Sequence, residues 1–223
     1  MAQPDMTEEQ AKQVEEARER FTTLKAGDPR LDEDGVRLLF SEARSQNGWQ
    51  DRPVNEATLH ELYEITRMGP TSMNSCPARI LFLCSDEAKR KLKPTLMPAN
   101  VDKVMAAPVV AVIGHDARFY DKLDTLFAHA TDAPAMFAGN EELAAVTAFR
   151  NGTLQGAYLM IAARALGLDC GPMSGFDNAA VDDIFFAGTS TKSNFLCGLG
   201  YGNPEKLFQR LPRLTFEEAC SIA

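Results

Sequence analysis

The sequence feature that most constrains the fold is a long helical pattern over residues 141–166, which Gly167 ends. Its second half, LQGAYLMIAARALGL, is apolar on nearly all sides of a helix. Such a helix is expected to be buried, either in the core of the chain or in an interface between copies of it. Gly152 and Gly156 each weaken a helix by about 1 kcal/mol relative to alanine. Their presence in the helix therefore predicts close packing against another backbone.

Short apolar runs between helical patterns predict the rest of the architecture. Strands are expected over residues 80–84, 109–114 and 194–200, and helices over 34–44, 55–67, 101–106 and 181–186. Asn55 and Ser85 precede helical patterns as N-caps, and Thr215 with Glu218 forms a capping-box pattern near the end. These patterns indicate an α+β or α/β fold with three or four buried strands.

Composition limits the number of domains and the class of partner. A chain of 223 residues that is 45% hydrophobic can bury one sizeable core. Residues 1–32 are rich in charged side chains and are expected to form a helical or partly disordered extension, in which Thr7 and Gln10 form a capping box. Residues 33–223 would then form one domain. The net charge of −8 argues against a general nucleic-acid binder, which needs a basic face.

Membrane and metal classes are disfavoured by the sequence. No apolar run approaches the roughly 20 residues that span a bilayer, and the N-terminus lacks a signal-peptide pattern. Five widely spaced cysteines form no CxxC pair, and the three histidines are not at ligand spacing from them. We therefore expect a cytoplasmic protein with reduced thiols, no membrane association and no metal.

The stretch MGPTSMNSCPAR, residues 68–79, joins a predicted helix to a predicted strand. Pro70 and Pro77 limit its flexibility, while short hydroxyl and amide side chains accompany exposed backbone amides. Such a loop suits a polar, planar ligand, and it equally suits an ordinary turn. The stretch alone leaves both interpretations open. Residues 119–140 are similarly open, either as a lid over a pocket or as surface loop and helix.

Two further motifs are poor matches to known chemistry. Residues 171–177, GPMSGFD, are expected to form a tight, Gly-flanked loop. Within it, the string GPMSG lacks the spacing of the G-x-S-x-G nucleophile elbow, and Pro172 disfavours the strand-to-helix turn of that elbow. The string GLGYGNP, residues 198–204, resembles a dinucleotide fingerprint, but too little chain follows it to complete a βαβ unit. A turn-rich exit from a strand is the better interpretation of GLGYGNP.

Arginine, serine and asparagine side chains provide a candidate phosphate site. Arg44, Ser45 and Asn47 lie in one short segment, and Arg210 and Arg213 lie near the end of the chain. Arginine suits bidentate phosphate binding, and a hydroxyl with exposed amides completes such a cradle. An isolated arginine is more often a solvated surface charge.

Five strings in a fixed order carry a family resemblance: ARSQNGW, MGPTSMNSCPARI, AFRNGTLQGAYLMIAARALGLDCGPMSGFD, KSNFLCGLGYG and LPRLTFEEA. Over residues 38–219 the chain resembles the FMN-dependent nitroreductase family. Within that family it is most similar to the malonic semialdehyde reductases of pyrimidine degradation. The resemblance implies an α+β fold with a central mixed or antiparallel sheet flanked by helices, and an intertwined homodimer with two shared FMN sites.

The resemblance also implies a reaction. Hydride would pass from NADH or NADPH to N5 of FMN and then to the acceptor, in a ping-pong cycle without a protein acid or base. Malonic semialdehyde, reduced to 3-hydroxypropanoate, is the first acceptor implied; nitroaromatics or quinones at the same site are the alternative. A flavin-binding protein without turnover is the non-enzymatic alternative.

The family's cofactor residues carry over by position. The phosphate and ribityl chain would be bound by Arg44, Ser45, Asn47 and Arg213. The flavin would be contacted from the partner subunit by Pro70, Thr71, Ser72 and Asn74. Contacts along the isoalloxazine fall to Pro172, Met173, Ser174 and Gly175, with a backbone amide near N5. Contacts to the pyrimidine edge fall to Asn100 and Lys103.

Three departures from the common family pattern favour the semialdehyde branch. Ala43 and Asn47 occupy slots that are usually basic, Cys76-Pro77-Ala78 replaces Gln-Pro-Trp, and Ser174 replaces a glutamate.

Overall fold

The computed structural model describes residues 7–223, and its central element is a four-stranded sheet. The strands are β1 (Ala78–Leu83), β2 (Val109–Asp116), β3 (Asp169–Met173) and β4 (Thr191–Gly200). They lie in the order β1-β2-β4-β3, and every neighbouring pair is antiparallel. With helices on both faces, this arrangement confirms the expected α+β fold.

The described part of the chain contains ten α-helices. They are α1 (Glu8–Lys25), α2 (Glu33–Val36), α3 (Glu56–Thr66), α4 (Asp86–Leu92), α5 (Pro98–Ala106), α6 (Leu123–Leu126), α7 (Ala133–Ala138), α8 (Glu141–Ala165), α9 (Asn178–Phe185) and α10 (Phe216–Ala219). A π-helical turn, Arg37–Ser41, continues α2. The predicted caps are confirmed, because the side chains of Asn55, Ser85 and Thr215 each accept a backbone N–H of the following helix.

Strand β2 divides the core because its side chains alternate between the two faces of the sheet. Ala111 and Ile113 pack with Leu159 of α8 and Leu62 of α3 on one face. Val110 and Val112 pack with residues of α4, α5 and α9 on the other face. All four of these β2 side chains have no exposed surface. The sheet is therefore the middle layer of three.

Helix α8 approaches the sheet closely at its glycines, as the sequence predicts. A Cβ at Gly152 would lie 2.8 Å from Cβ of His115, and a Cβ at Gly156 would lie 2.6 Å from the ring of Phe195. The expected neighbour was a backbone, whereas these nearest atoms belong to side chains on β2 and β4. The inner face of α8 is thus part of the intrachain core.

Strand β3 is a correction to the prediction for residues 171–177, where a Gly-flanked loop was expected. Pro172 lies within β3, which pairs only with β4 and forms one edge of the sheet. Proline lacks the N–H of a ladder bond, so it is tolerated in an edge strand. The strand was not predicted because its sequence, DCGPM, contains a glycine and a proline, which are rare in strands.

Residues 119–140 form a small helical unit with a core of its own. Phe119, Leu123 and Phe137 are buried in it, together with Ala144 and Ala148 from the first turns of α8. This packing is compatible with either earlier interpretation of the segment.

The two ends of the described chain lie outside these cores. Helix α1 begins at the predicted Thr7–Gln10 capping box, and none of its residues is buried. The first six residues of the expected N-terminal extension lie outside the described residues. Residues 208–223 are also exposed, among them Phe208, Leu211 and Ile222.

Candidate functional site

A cleft of about 600 Å³ brings together four predicted cofactor residues. These residues are Arg44, Ser45, Asn47 and Arg213. The cleft lies between residues 40–47, the last turn of α8 and residues 208–213. Segments that are more than 150 residues apart in the sequence thus meet, as the phosphate hypothesis requires.

Positive charge is concentrated in this cleft. Four guanidinium groups line it: Arg44, Arg164, Arg210 and Arg213. Within residues 7–223, no carboxylate lies within 4.0 Å of any of these groups. Arginine in this state is suited to a phosphate, which it can bind through two parallel charge-assisted hydrogen bonds.

Backbone carbonyls accept hydrogen bonds from all four arginines. Those that accept from Arg213 are local, Leu211 O at 3.0 Å and Pro212 O at 3.1 Å. Arg164 donates to Leu39 O at 3.0 Å, and Arg210 donates to Ser41 O at 2.6 Å. Arg44 donates to Phe208 O, which links the first segment of the cleft to the C-terminal residues. Because backbone carbonyls are neutral, these hydrogen bonds do not compensate the positive charge of the arginines.

Sheet pairing determines where the first segment of the cleft lies. Ser45 forms a parallel bridge with Cys170 at the start of β3, and the Gln46 N–H donates to Cys170 O at 2.9 Å. Trp49 then turns onto the sheet, and its indole N–H donates to Lys103 O at 3.1 Å. The cleft therefore opens at the outer edge of β3.

Glycines on β3 and β4 make room for Trp49. A Cβ at Gly198 would lie 2.6 Å from the indole ring, and one at Gly171 would lie 2.8 Å from Gln46 O. Gly171 and Gly198 are also cross-strand partners. The first glycine of GLGYGNP thus serves side-chain packing, and β4 ends at Gly200 as the strand-exit interpretation predicts.

A second group of predicted residues follows the other end of β3. Pro172 and Met173 complete the strand, and Ser174 and Gly175 lie just beyond it. Asn100 lies beside them, with its Nδ2 donating to Gly175 O at 3.0 Å. Four residues separate Ser174 from Cys170, a distance of about 13 Å at roughly 3.3 Å per residue of strand. The cleft and this second group therefore follow one strand edge.

Lys103 lies near this second group because it is on the same helix as Asn100. It lies on α5 with Asn100, and its carbonyl accepts from Trp49. Its ammonium group is half-buried and forms no ion pair among the residues that the structure describes.

The third predicted group, Pro70, Thr71, Ser72 and Asn74, lies elsewhere in the same chain. Its loop leads into β1, which is the opposite edge of the sheet from β3. Three strand spacings, roughly 14 Å at about 4.8 Å each, separate these edges. One chain therefore does not bring this loop together with the two groups on β3.

Buried amides of α8 hold this loop. Asn151 Oδ1 accepts from the Ser72 N–H, and Gln155 Oε1 accepts from the Ala78 N–H, both at 2.8 Å. Asn74 Nδ2 donates to Leu126 O at 2.9 Å and so ties the loop to α6. The loop is also conformationally unusual, because Met73, Asn74 and Cys76 all have positive φ angles between 40° and 53°.

Sequence reasoning missed several residues of this arrangement. Arg164 was read only as part of an apolar helix. Arg210 was named with Arg213 as a candidate phosphate ligand, but it was not among the cofactor residues that the family resemblance implied. Asn151 and Gln155 were also missed, although two amides four residues apart in an apolar helix are a detectable signal, since buried amides require partners.

Two titratable groups near the end of β2 have shifted pKa values. Burial would raise the pKa of Asp116, but hydrogen bonds from Ser190 and the Arg118 backbone, with the charge of Arg79, outweigh it and lower the pKa. Burial lowers the pKa of His115, against the opposing charges of Asp182 and Asp116. Both groups lie at β2 rather than along the edge of β3.

Neither a metal-binding cluster nor a membrane-spanning helix is found in residues 7–223. Residues 7–223 contain no cluster of three or more side chains suited to a metal ion. No helix in that range is long and apolar enough to cross a bilayer.

Curated relatives are similar to this chain over most of its length. HadB of Ralstonia pickettii, whose name assigns it to the NADH dehydrogenase/NAD(P)H nitroreductase group, is 62% identical over 187 residues, covering 83% of this chain and 95% of HadB. A protein with the same group name from Stenotrophomonas maltophilia strain K279a is 58% identical over 193 residues, covering 86% of this chain and 98% of the relative.

Solved structures share the fold at low sequence identity. A nitroreductase from Bacillus subtilis superposes with a TM-score of 0.77 at 21% identity, covering 85% of this chain and 99% of that one. A nitroreductase from Exiguobacterium sibiricum, solved in complex with FMN, gives a TM-score of 0.75 at 19% identity, covering 87% and 99%.

A family model provides the assignment. The model described as the nitroreductase family matches residues 41–202, which include the whole sheet and most of the candidate site. The expected family is therefore confirmed, and the chain belongs to the nitroreductase family.

Proposed function

We propose that this protein is an FMN-dependent NAD(P)H oxidoreductase that reduces malonic semialdehyde to 3-hydroxypropanoate. The observation that carries this proposal is the cleft with four arginines at one end of β3, together with backbone N–H groups at the other end that have no partner within residues 7–223. Flavin-dependent oxidoreduction with NAD(P)H is the activity of the family. Beyond that activity, we propose the acceptor, the roles of the individual residues and the dimer.

The cleft fits the phosphate of FMN. A flavin phosphate carries up to two negative charges, and the guanidinium groups of Arg44, Arg210 and Arg213 line the cleft without a carboxylate partner. Ser45 and Asn47 add a hydroxyl and an amide at the same place. We assign phosphate binding to these side chains, and Arg210 joins the residues that the family resemblance implies.

The other end of β3 fits the polar edge of a flavin ring. Among the described residues, neither the Ser174 N–H nor the Gly175 N–H has a hydrogen-bond partner. FMN, when bound, accepts hydride from NAD(P)H and delivers it to the acceptor. These N–H groups would orient the ring, and the half-buried ammonium of Lys103 would stabilise negative charge that reduction places on it. The remaining predicted contacts, Pro172 and Met173, would run beside the ring.

An intertwined homodimer accounts for the remaining predicted residues. Pro70, Thr71, Ser72 and Asn74 lie at the opposite sheet edge, so they would serve the cofactor of a second copy. Helix α8 supports this arrangement, because Val146, Phe149 and Leu154 on its outer face are between 45% and 54% exposed. Exposed apolar patches of this kind are typical of interfaces.

The semialdehyde assignment depends on sequence departures that change the pocket wall. Cys76 and Ser174 replace larger family residues, and the exposed Ser174 side chain adds a hydroxyl rather than a charge. A carboxylate at Ser174 would repel malonic semialdehyde, which is itself an anion at neutral pH. The serine removes that repulsion.

The names of the close relatives favour a second candidate function. HadB and the Stenotrophomonas protein are grouped with NAD(P)H nitroreductases. Reduction of nitroaromatics or quinones would use the same cofactor site and differ only in the acceptor.

Absorbance spectroscopy and steady-state assays test these proposals. Purified protein should bind FMN, show flavin absorbance, and bleach on addition of NADH or NADPH. Turnover should then be measured with malonic semialdehyde, a nitroaromatic and a quinone at equal concentrations. No turnover of the semialdehyde at millimolar concentration would reject it as substrate. Flavin binding without turnover of any acceptor would favour the non-enzymatic alternative, and failure to bind FMN would reject the cofactor assignment.

Substitution of Arg210 or Arg213 tests the phosphate site directly. Arg210→Ala and Arg213→Ala should each weaken FMN binding by roughly 1.5–3 kcal/mol, the range of a charged hydrogen bond. Riboflavin lacks the phosphate, so its affinity should change little. Arg90→Ala removes the same charge from the exposed side of α4 and is the matched control. Equal losses for FMN and riboflavin would remove these arginines from the phosphate site.

A further inference from the structure

The carbonyl of Gly175 is fixed by residues at the start of α5. It accepts two hydrogen bonds, one from the Met97 N–H and one from Asn100 Nδ2, both at 3.0 Å. Both donors belong to the start of α5. A carbonyl that accepts two directed hydrogen bonds has little freedom to rotate.

Neighbouring bonds extend this attachment along the chain. Leu96 forms an antiparallel bridge with Phe176, and the Asp177 N–H donates to Thr95 O at 2.8 Å. The Phe176 N–H is also engaged, with Ser174 O at 3.1 Å. The segment after β3 is therefore paired with residues 95–100 on one side.

The N–H groups of Ser174 and Gly175 are the exception. Neither has a partner among the described residues, although the carbonyls of both residues accept hydrogen bonds. Backbone N–H groups without an intramolecular partner must be satisfied by water or a ligand. Two consecutive free donors beside a fixed carbonyl form a prepared binding edge.

The contact between Asn100 and Gly175 requires glycine. A Cβ at position 175 would lie 2.6 Å from Asn100 Nδ2 and 3.1 Å from Met97 Sδ. The first distance is shorter than any normal carbon contact with nitrogen. A side chain at position 175 would therefore displace the amide of Asn100 from the carbonyl.

We propose that Asn100 is a positioning residue, which holds the Gly175 carbonyl and so orients the Gly175 N–H towards the bound cofactor. The two groups belong to adjacent peptide units, which are coupled because the Phe176 N–H of the first unit donates to Ser174 O of the second at 3.1 Å. This inference rests on the proposed function, and it replaces the direct flavin contact that the family resemblance implies for Asn100 with a role through the Gly175 backbone. An N–H donor directed at the cofactor stabilises the negative charge that reduction places there. Loss of the amide would leave the cofactor bound but harder to reduce.

A double-mutant cycle on the holoenzyme tests the proposal. Asn100→Ala, Gly175→Ala and the double variant should be compared for FMN affinity, for the rate constant of reduction by NAD(P)H and for the flavin midpoint potential. FMN affinity should stay within about threefold of wild type. The equilibrium constant of reduction should fall about tenfold in each single variant, which corresponds to a potential more negative by about 30 mV for a two-electron couple.

The double variant provides the decisive readout. Alanine at position 100 removes the atom that a Cβ at position 175 would meet, so the two effects should be strongly non-additive. Asn100→Ser keeps a hydroxyl donor and should recover part of the potential. Asn194→Ala is the control, because its Nδ2 also donates a hydrogen bond, at 2.8 Å to Thr153 Oγ1.

Several results would overturn the proposal. A loss of FMN affinity of more than tenfold in Asn100→Ala would indicate a direct flavin ligand. Additive effects in the double variant, or an unchanged potential in both single variants, would show that Asn100 does not act through Gly175. Failure of the wild-type protein to bind FMN is a distinct outcome, since it would reject the proposed function and this inference with it.

Discussion

The close approach of Gly152 in α8 to His115 in β2 predicts that adding one methyl group at position 152 lowers the stability of the fold. Gly152→Ala would place a Cβ 2.8 Å from Cβ of His115. His115 cannot retreat easily, because its backbone is paired with Ala78 on one side and Lys192 on the other. Alanine should contribute roughly 1 kcal/mol through helix propensity. Overpacking at a rigid contact should cost about 2–3 kcal/mol, which leaves a net loss of roughly 1–2 kcal/mol.

Urea denaturation followed by circular dichroism measures this loss, at fixed protein and FMN concentration. Thermal denaturation should show a melting temperature lower by about 2–4 °C per kcal/mol. Gly139→Ala is the matched control, because Gly139 is exposed at the end of α7 and has a φ of −83°. His115→Gly removes the opposing Cβ, so Gly152→Ala should be tolerated in that background. A Gly152→Ala protein at least as stable as wild type would refute the packing argument.

The remaining predictions concern the β1 loop and the end of β2. Asn74→Ala should lose about 1–2 kcal/mol, because the bond to Leu126 O is removed and alanine must adopt a φ of 48°; hydrogen exchange in α6 should increase. Asn74→Gly lacks the second effect, so equal losses would contradict the role of backbone strain. Asp116 should stabilise the fold above its unfolded pKa, near 3.8, and this contribution should disappear as the pH falls through the lower folded value. In Asp116→Asn, the free energy of unfolding should therefore depend less on pH below about pH 4. If urea denaturation gave the same pH dependence for the variant and the wild type in this range, the result would argue against the network with Arg79 and Ser190.

Local signals predicted much of the fold. The cap residues Thr7, Asn55 and Ser85 each accept a hydrogen bond from a backbone N–H only three residues away. Their role can therefore be predicted from the local sequence, without knowledge of the tertiary structure. Helix α8 was equally predictable, because a long apolar pattern with helical spacing has few structural interpretations other than a buried helix. Strand β2 was predicted for a similar reason: it is buried on both faces and reads as a continuous apolar run.

The errors fall where a residue is chosen for a distant neighbour. Strand β3 was missed because Gly171 leaves space for Gln46 O and Pro172 is tolerated at a sheet edge. Neither residue favours a strand by itself. Gly198 likewise resembles part of a phosphate-binding fingerprint, yet it accommodates the ring of Trp49. Sequence alone could not distinguish these uses, because both depend on segments more than 100 residues away.

The site itself was predictable only as a set of residue types. Sequence identified Arg44 and Arg213, but the cleft also contains Arg164, which lies on the apolar helix. Its position near the end of α8 places its guanidinium beside Leu39 O rather than in the core. A periodic pattern cannot reveal that a charged side chain at a helix end reaches a separate cleft.

Helix α8 connects the two halves of the proposed site, which explains its unusual composition. Its last turn supplies Arg164 to the cleft at β3, and its middle supplies Asn151 and Gln155 to the loop before β1. The inner face packs on the sheet, while the outer face exposes apolar side chains such as Phe149. A helix with only an intrachain role would have a polar outer face. Because both half-sites are attached to one helix, pairing that outer face with a second copy could bring a loop and a cleft from different chains together without rearranging either fold.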